Sequence, residues 1–148
     1  MTSVSDSDYR NLFVFRYALR QFLRWSDQQA AQIGLTPQQC QVLLAIRAHQ
    51  RDCGPSIGEV AEYMLVRHHS AVEIVRRLER MGLVARNSDE HDQRVVRLHV
   101  TAEGDQLLQR LTSAQLSELE QAAQTLRIDQ EFLLRLSHDF IGGDTQHP

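Results

Sequence analysis

A chain of 148 residues is long enough to bury a core as one domain, with or without an extension. Its net charge of −3 excludes a uniformly basic surface, and no run of ~18 apolar residues offers a membrane span. Two cysteines, Cys40 and Cys53, cannot frame a stapled fold, and the polar start MTSVSDSDYR lacks a signal peptide's apolar stretch, so a cytoplasmic protein is expected.

In chain order, residues 8–33 are predicted as a helix, with Leu12, Phe15, Leu19 and Phe22 at 3-4-3 spacing and Phe13, Leu23 and Trp25 widening the stripe. So apolar a helix must be covered by something. Gly34-Leu35-Thr36-Pro37 ends it and opens the next, with Thr36 as N-cap and Pro37 at the first helical position. Residues 38–49 form that second helix, burying Val42, Leu43 and Ile46, and residues 51–55 are a loop. Ser56 and Glu59 then make a capping box, followed by Ile57, Val60, Ala61 and Met64 as one buried face.

A fourth helix is expected from about residue 67 to 81. Ala71, Val75 and Leu78 form its inward stripe, with Ile74 and Met81 flanking. Arg67, His68, His69, Ser70, Glu73 and Arg77 are left outside, Arg76 and Arg80 lie toward its end, and Gly82 sits where a left-handed C-cap is wanted. Residues 83–86 and 95–100 carry strand-type residues, the second run alternating Val96, Leu98 and Val100 against Arg97 and His99. The intervening NSDEHDQR is a polar tip with no packing role on this reading. Helix, turn, polar helix and ribbon in that order describe a winged helix-turn-helix, whose second helix enters the DNA major groove.

Charge placement agrees. Residues 67–97 hold seven Arg and five acids, net +2, whereas the remainder holds nine Arg and fourteen acids, net −5. Where charge sits, rather than its total, decides what a surface attracts.

Beyond the ribbon, Thr101 caps a long helix with Leu107, Leu108, Leu111, Leu116, Leu119, Ala123 and Leu126 on its apolar side. Asp129 is expected to cap a last helix carrying Phe132, Leu133, Leu136, Phe140 and Ile141. The two ends of the chain are too apolar to stand apart. They either fold back onto the wing unit or interleave with a second chain, and at roughly 25 cal/mol per Å² of apolar surface a few thousand Å² would make an obligate dimer.

The ribbon and its flanks resemble a known pattern. Asp92-Gln93-Arg94, then Leu98-His99-Val100-Thr101 and Gly104, is similar to the D-x-R…L-x-L-T-x-x-G wing signature of the MarR family of bacterial transcription regulators. The preceding RLERMGLVAR, residues 77–86, looks like that family's exit from the recognition helix. The sequence-specific part of the resemblance covers residues 56–104, and the order of elements matches over the whole chain.

The resemblance implies a mainly α fold with a small antiparallel β-wing. Residues 34–103 would be the DNA-binding winged helix-turn-helix, and residues 1–33 and 104–148 the helices of a homodimer interface. Such a dimer would act as a regulator, with repression the expected sense, reading a pseudo-palindromic operator in double-stranded DNA. Its two half-sites would lie about 34–36 Å apart. Arg67, His69, Ser70 and Glu73, with His68 beside them, are the candidates for base edges; Arg76, Arg77 and Arg86 suit phosphates. Arg94 would enter the minor groove from the wing tip with its guanidinium fixed by Asp92, roles that the resemblance also assigns. This chain departs from many relatives at Val72-Glu73, where they carry Ser/Thr followed by Arg, and at Arg76, where they carry Asp, so base contacts do not transfer.

The family commonly binds small aromatic or phenolic acids between dimer helices and DNA-reading lobes. Arg16, Tyr17, Trp25 and His49 could line such a crevice for an effector. No cofactor or metal is expected: adjacent His68 and His69 point about 100° apart on a helix, and neither C-x-x-C nor H-E-x-x-H occurs. Phosphate loops, paired-carboxylate motifs and nucleophile elbows are absent too, so an enzyme is not expected. The alternative is a winged-helix protein–protein module without DNA binding, for which the acidic total and Glu73 speak.

Overall fold

The computed structural model describes residues 4–49, 51 and 53–126. Seven elements follow in order: α1 (Asp6–Gln32), α2 (Pro37–Ala48), α3 (Ile57–Met64), α4 (His68–Arg80), β1 (Val84–Ser88), β2 (Val96–Val100) and α5 (Ala102–Leu126). The expected last helix, with its Asp129 cap, lies outside the described residues. None of the described helices is long and apolar enough to cross a membrane.

The helix starts obey local hydrogen-bond chemistry. Thr36 accepts from the Gln39 N–H at 3.2 Å while the Gln39 side chain accepts from the Thr36 N–H at 2.9 Å. Ser56 and Glu59 repeat that reciprocal pair at 3.2 and 2.8 Å, and Thr101 Oγ1 accepts from the Gly104 N–H at 3.1 Å. Each closes donors that a helix start otherwise leaves open. The first helix begins two residues before its apolar stripe suggests, because Ser5 and Asp8 bond reciprocally and start the first turn there.

The chain divides into two compact units, and both long helices contribute to each. Residues 24–114 hold the winged helix-turn-helix. Its core joins Leu35, Val42, Leu43 and Ile46 of the α2 region to Val60, Val75, Leu78, Leu83, Val84 and Leu98, with Ala30, Leu108 and Leu111 supplied by the neighbouring parts of α1 and α5. Ala71, Val75 and Leu78 are completely buried, so the inward stripe predicted for α4 is the one the fold uses. Met81 caps α4 and Gly82 follows at φ +72°, the left-handed residue required there.

The turn between α3 and α4 is less expected. Leu65 caps α3 at φ 53° and ψ 39°, a left-handed conformation that costs a branched L-residue about 1–2 kcal/mol. Bonds from Leu65 N–H to Glu62 and from Val66 N–H to Ala61, both 3.1 Å, hold it there.

The two strands pair antiparallel with Val84 opposite Val100, Arg86 opposite Leu98 and Ser88 opposite Val96. The ribbon is tied to the body by Leu98 N–H donating to the Pro55 carbonyl at 2.9 Å and Thr101 N–H to Leu83 at 3.0 Å.

The other unit contains residues 4–23 and 115–126 among those described. Its helix faces are apolar yet uncovered in the single chain: Leu12 is 58% and Phe13 62% exposed, and Leu19, Leu116 and Leu119 are also open. Phe13 and Tyr17 stack with ring centroids 6.1 Å apart.

Candidate nucleic-acid interface

Residues 24–114 contain every candidate DNA-contacting side chain. α2 and α3 begin with capping boxes, whereas α4 begins at Arg67 with no side-chain cap. Arg67, His68, His69, Glu73, Arg76 and Arg77 are all exposed and Ser70 is half-buried. Free N–H groups and a positive dipole end therefore sit beside Arg67 and two imidazoles, an arrangement that suits phosphate. Glu73 and Arg76 lie 3.7 Å apart as an exposed pair on the same face.

Arg86 is placed differently from the freely reaching side chain that phosphate contact suggests. Its Nε lies 2.7 Å from Glu79 Oε2, though not aligned as a hydrogen bond, and both side chains are 30% exposed. Its charge is thus already balanced by α4.

The wing tip is built from hydrogen bonds to carboxylates. Asp92 Oδ1 accepts from the Arg94 backbone N–H at 3.0 Å and stands 3.5 Å from Arg94 Nε. The Arg94 side chain is 94% exposed, projecting from a backbone that Asp92 holds.

Sequence reasoning missed what lies beneath this tip. Asp89 Oδ1 accepts from the backbone N–H groups of His91 and Asp92 at 2.8 and 3.0 Å, and its other oxygen accepts from Arg97 Nε at 2.7 Å. Those bonds, led by the one from Arg97, bring the Asp89 carboxyl down to about 2. Arg97 reaches on to Glu59 Oε2 of α3 at 3.3 Å, and Glu59 also pairs with Arg51. Far from lacking a packing role, the tip rests on side chains that are largely covered, Arg97 at 17% and Asp89 at 11% exposure. Strand alternation put Arg97 on the outward face but carried no sign that α3 would cover it.

The four effector candidates fall into both units. Arg16 and Tyr17 are exposed in one, while Trp25 and His49 are half-buried in the other. His49 Nδ1 lies 2.9 Å from the Tyr63 hydroxyl and borders an open cleft of about 440 Å³ with Ile46, Arg47, Leu98 and Asp105. Burial, then the charges of Arg51 and Arg97, lower its pKa. Cys40 is buried, its thiol pushed up to about 11 chiefly by desolvation and then by Asp27, whereas Cys53 is exposed. Among the described residues, no group of three or more His, Cys, Asp or Glu could hold a metal ion.

Residues 33–95, which take in α2, α3, α4, β1 and the wing tip, match the model of the MarR family. Those residues are similar in sequence to that family over less than half of the chain. A second similarity in sequence is to the transcriptional repressor MdtR of Bacillus subtilis (strain 168), 36% identical over 72 residues. That match takes in 49% of this chain and 44% of MdtR, so it spans under half of the repressor's length. MepR of Staphylococcus aureus in its DNA-binding conformation superposes with a TM-score of 0.72 at 25% identity, covering 88% of this chain and 93% of MepR. AbsC of Streptomyces coelicolor, a MarR family transcriptional regulator, gives 0.71 at 16% identity over 94% and 93% of the two chains. Both structures are therefore similar in fold to this chain over most of its length.

Proposed function

We propose that the chain is a sequence-specific DNA-binding transcriptional regulator, acting as a homodimer on a pseudo-palindromic duplex and repressing the genes it controls. The observation that carries this is α4 presenting Arg67, His68, His69 and Glu73 to solvent, with a fully projecting Arg94 on the hairpin immediately beyond. A helix and an arginine-tipped wing on one rigid core fit the major groove and the neighbouring minor groove together. The exposed leucines and aromatic rings of residues 4–23 and 115–126 support pairing with a second copy. MdtR is a repressor and MepR has a DNA-binding conformation, which supports the same reading here. A small aromatic or phenolic acid is the proposed effector, acting in the cytoplasm by favouring one spacing of the two reading heads. A preference of 1–3 kcal/mol would change DNA affinity about 5–150-fold.

The test is selection of binders from a random duplex pool, followed by titration at two salt concentrations. A dimer neutralising 6–10 phosphates loses roughly 10³–10⁵ in affinity between 50 and 200 mM salt. Arg94→Ala is expected to weaken the selected duplex strongly while leaving the dimer intact in sedimentation. Failure to enrich any inverted repeat would leave the protein–protein module as the better account.

A further inference from the structure

The wing tip of this protein is coupled to the start of α3 by an unbroken line of side-chain hydrogen bonds. Ser56 N–H donates to Glu59 Oε2 at 2.8 Å, and the same oxygen accepts from Arg97 at 3.3 Å. Arg97 Nε donates to Asp89 at 2.7 Å, and Asp89 takes the His91 and Asp92 N–H groups at 2.8 and 3.0 Å. Asp92 then takes the N–H of Arg94 at 3.0 Å. A two-stranded hairpin by itself is marginally stable and twists freely, so its angle to the body must come from elsewhere. The backbone ties at Leu98 and Thr101 hold its base and the middle of β2, and leave the tip above them to side chains.

We infer that Arg97 is a positioning residue for DNA binding: clamped between Glu59 of α3 and Asp89 of the hairpin, it fixes the height and angle at which Arg94 meets the minor groove. This rests on the DNA-binding reading above. Arg97 itself, covered by its two carboxylates, does not touch the duplex. A guanidinium suits the task because its planar fork can hold one acid at Nε and another at a terminal nitrogen simultaneously, as a lysine ammonium cannot in the same geometry. Asp89 is held ionised by the same bonds, so the clamp is closed at any pH at which the protein would meet DNA.

Positioning predicts dependence rather than addition. With the full-length dimer and a duplex of about 30 base pairs enriched by the wild type from a random pool, affinity is measured for the wild type, R94A, R97Q and the double variant. R97Q is expected to lose about tenfold, within the range for coupled neighbours, but to cost under twofold more once Arg94 is already absent. Hydroxyl-radical footprints of R97Q should lose protection in the flanking minor grooves, while methylation protection of guanine N7 in the major groove persists. If R97Q lowers the unfolding midpoint enough to confuse the comparison, D89N breaks the same clamp from the other side and is read by the same cycle. Multiplicative losses in the double variant, or an R97Q that binds and footprints as the wild type does, would overturn the positioning role alone. A wild-type chain that enriches no duplex would overturn the regulator reading and this one together.

Discussion

Gly54 offers a sharp test of how the loop before α3 grips the ribbon. The residue sits at φ +74°, and an added Cβ would stand 2.2 Å from the Leu98 carbonyl oxygen and 3.0 Å from His99 Cε1. The imidazole could turn aside, but the carbonyl cannot, being backbone of a strand whose Leu98 side chain is completely buried. Gly54→Ala therefore incurs about 1–2 kcal/mol for a left-handed L-residue. It must also push loop and strand apart, weakening the 2.9 Å bond from Leu98 N–H to Pro55, for about 0.5–1.5 kcal/mol more. The sum, about 1.5–3.5 kcal/mol, is roughly 10- to 400-fold in the folding equilibrium. Gly82→Ala is the matched control, because φ is +72° there but the nearest atom to a new Cβ is Glu103 Oε2 at 3.6 Å. Urea unfolding followed by circular dichroism, at one fixed protomer concentration, should separate the two by about 1 kcal/mol or more in midpoint times slope. Equal destabilisation of the two variants would refute the idea that close approach of loop to strand is what demands glycine at 54.

Further expectations follow from the same geometry. Leu65→Asn should raise stability by up to about 1 kcal/mol in the same assay, because asparagine tolerates the left-handed region better and a side chain 92% exposed gives up almost no packing. Asp89 is held down to about 2, so as pH falls below about 4 the unfolded carboxyl takes up its proton before the folded one does. Wild-type stability should then fall between about pH 4 and 2, and D89N should fall less steeply across that window. His49 acts in the same direction at higher pH: with its folded pKa lowered, the unfolded imidazole is the first to charge, so stability present above about pH 6.5 declines as the medium is acidified, and H49Q should flatten that slope. Iodoacetamide followed by mass spectrometry should modify Cys53 in the native protein and Cys40 only after denaturant is added.

Much of the fold was readable from spacing. The stripe of Ala71, Val75 and Leu78, the Ser56 and Thr36 caps and the stop at Gly82 are all decided within a few residues, where periodicity and hydrogen-bond chemistry act. Strand β1 runs on to Ser88 past its apolar residues because Asn87 and Ser88 pair through backbone with Arg97 and Val96, which side-chain polarity does not report. The clamp on Arg97 was illegible for a related reason. Its partner Glu59 lies 38 residues away, and a capping glutamate looks the same whether or not a guanidinium later arrives beside it. Of the candidate site, the exposed face of α4 and the Asp92–Arg94 pair could be read in advance. The balanced state of Arg86 could not, because Glu79 and Arg86 meet only once the ribbon turns back past the end of α4.

Glu59 is the feature with the widest consequence. One carboxylate closes the start of α3, neutralises Arg51 and steadies Arg97. Exchanging it for glutamine would keep the acceptor for the helix yet remove the anion that Arg51 and Arg97 share, leaving Arg97 to Asp89 alone. A lineage that changed how far its hairpin extends would first need a replacement anion under Arg97, and helix start and hairpin would therefore have to drift as a pair.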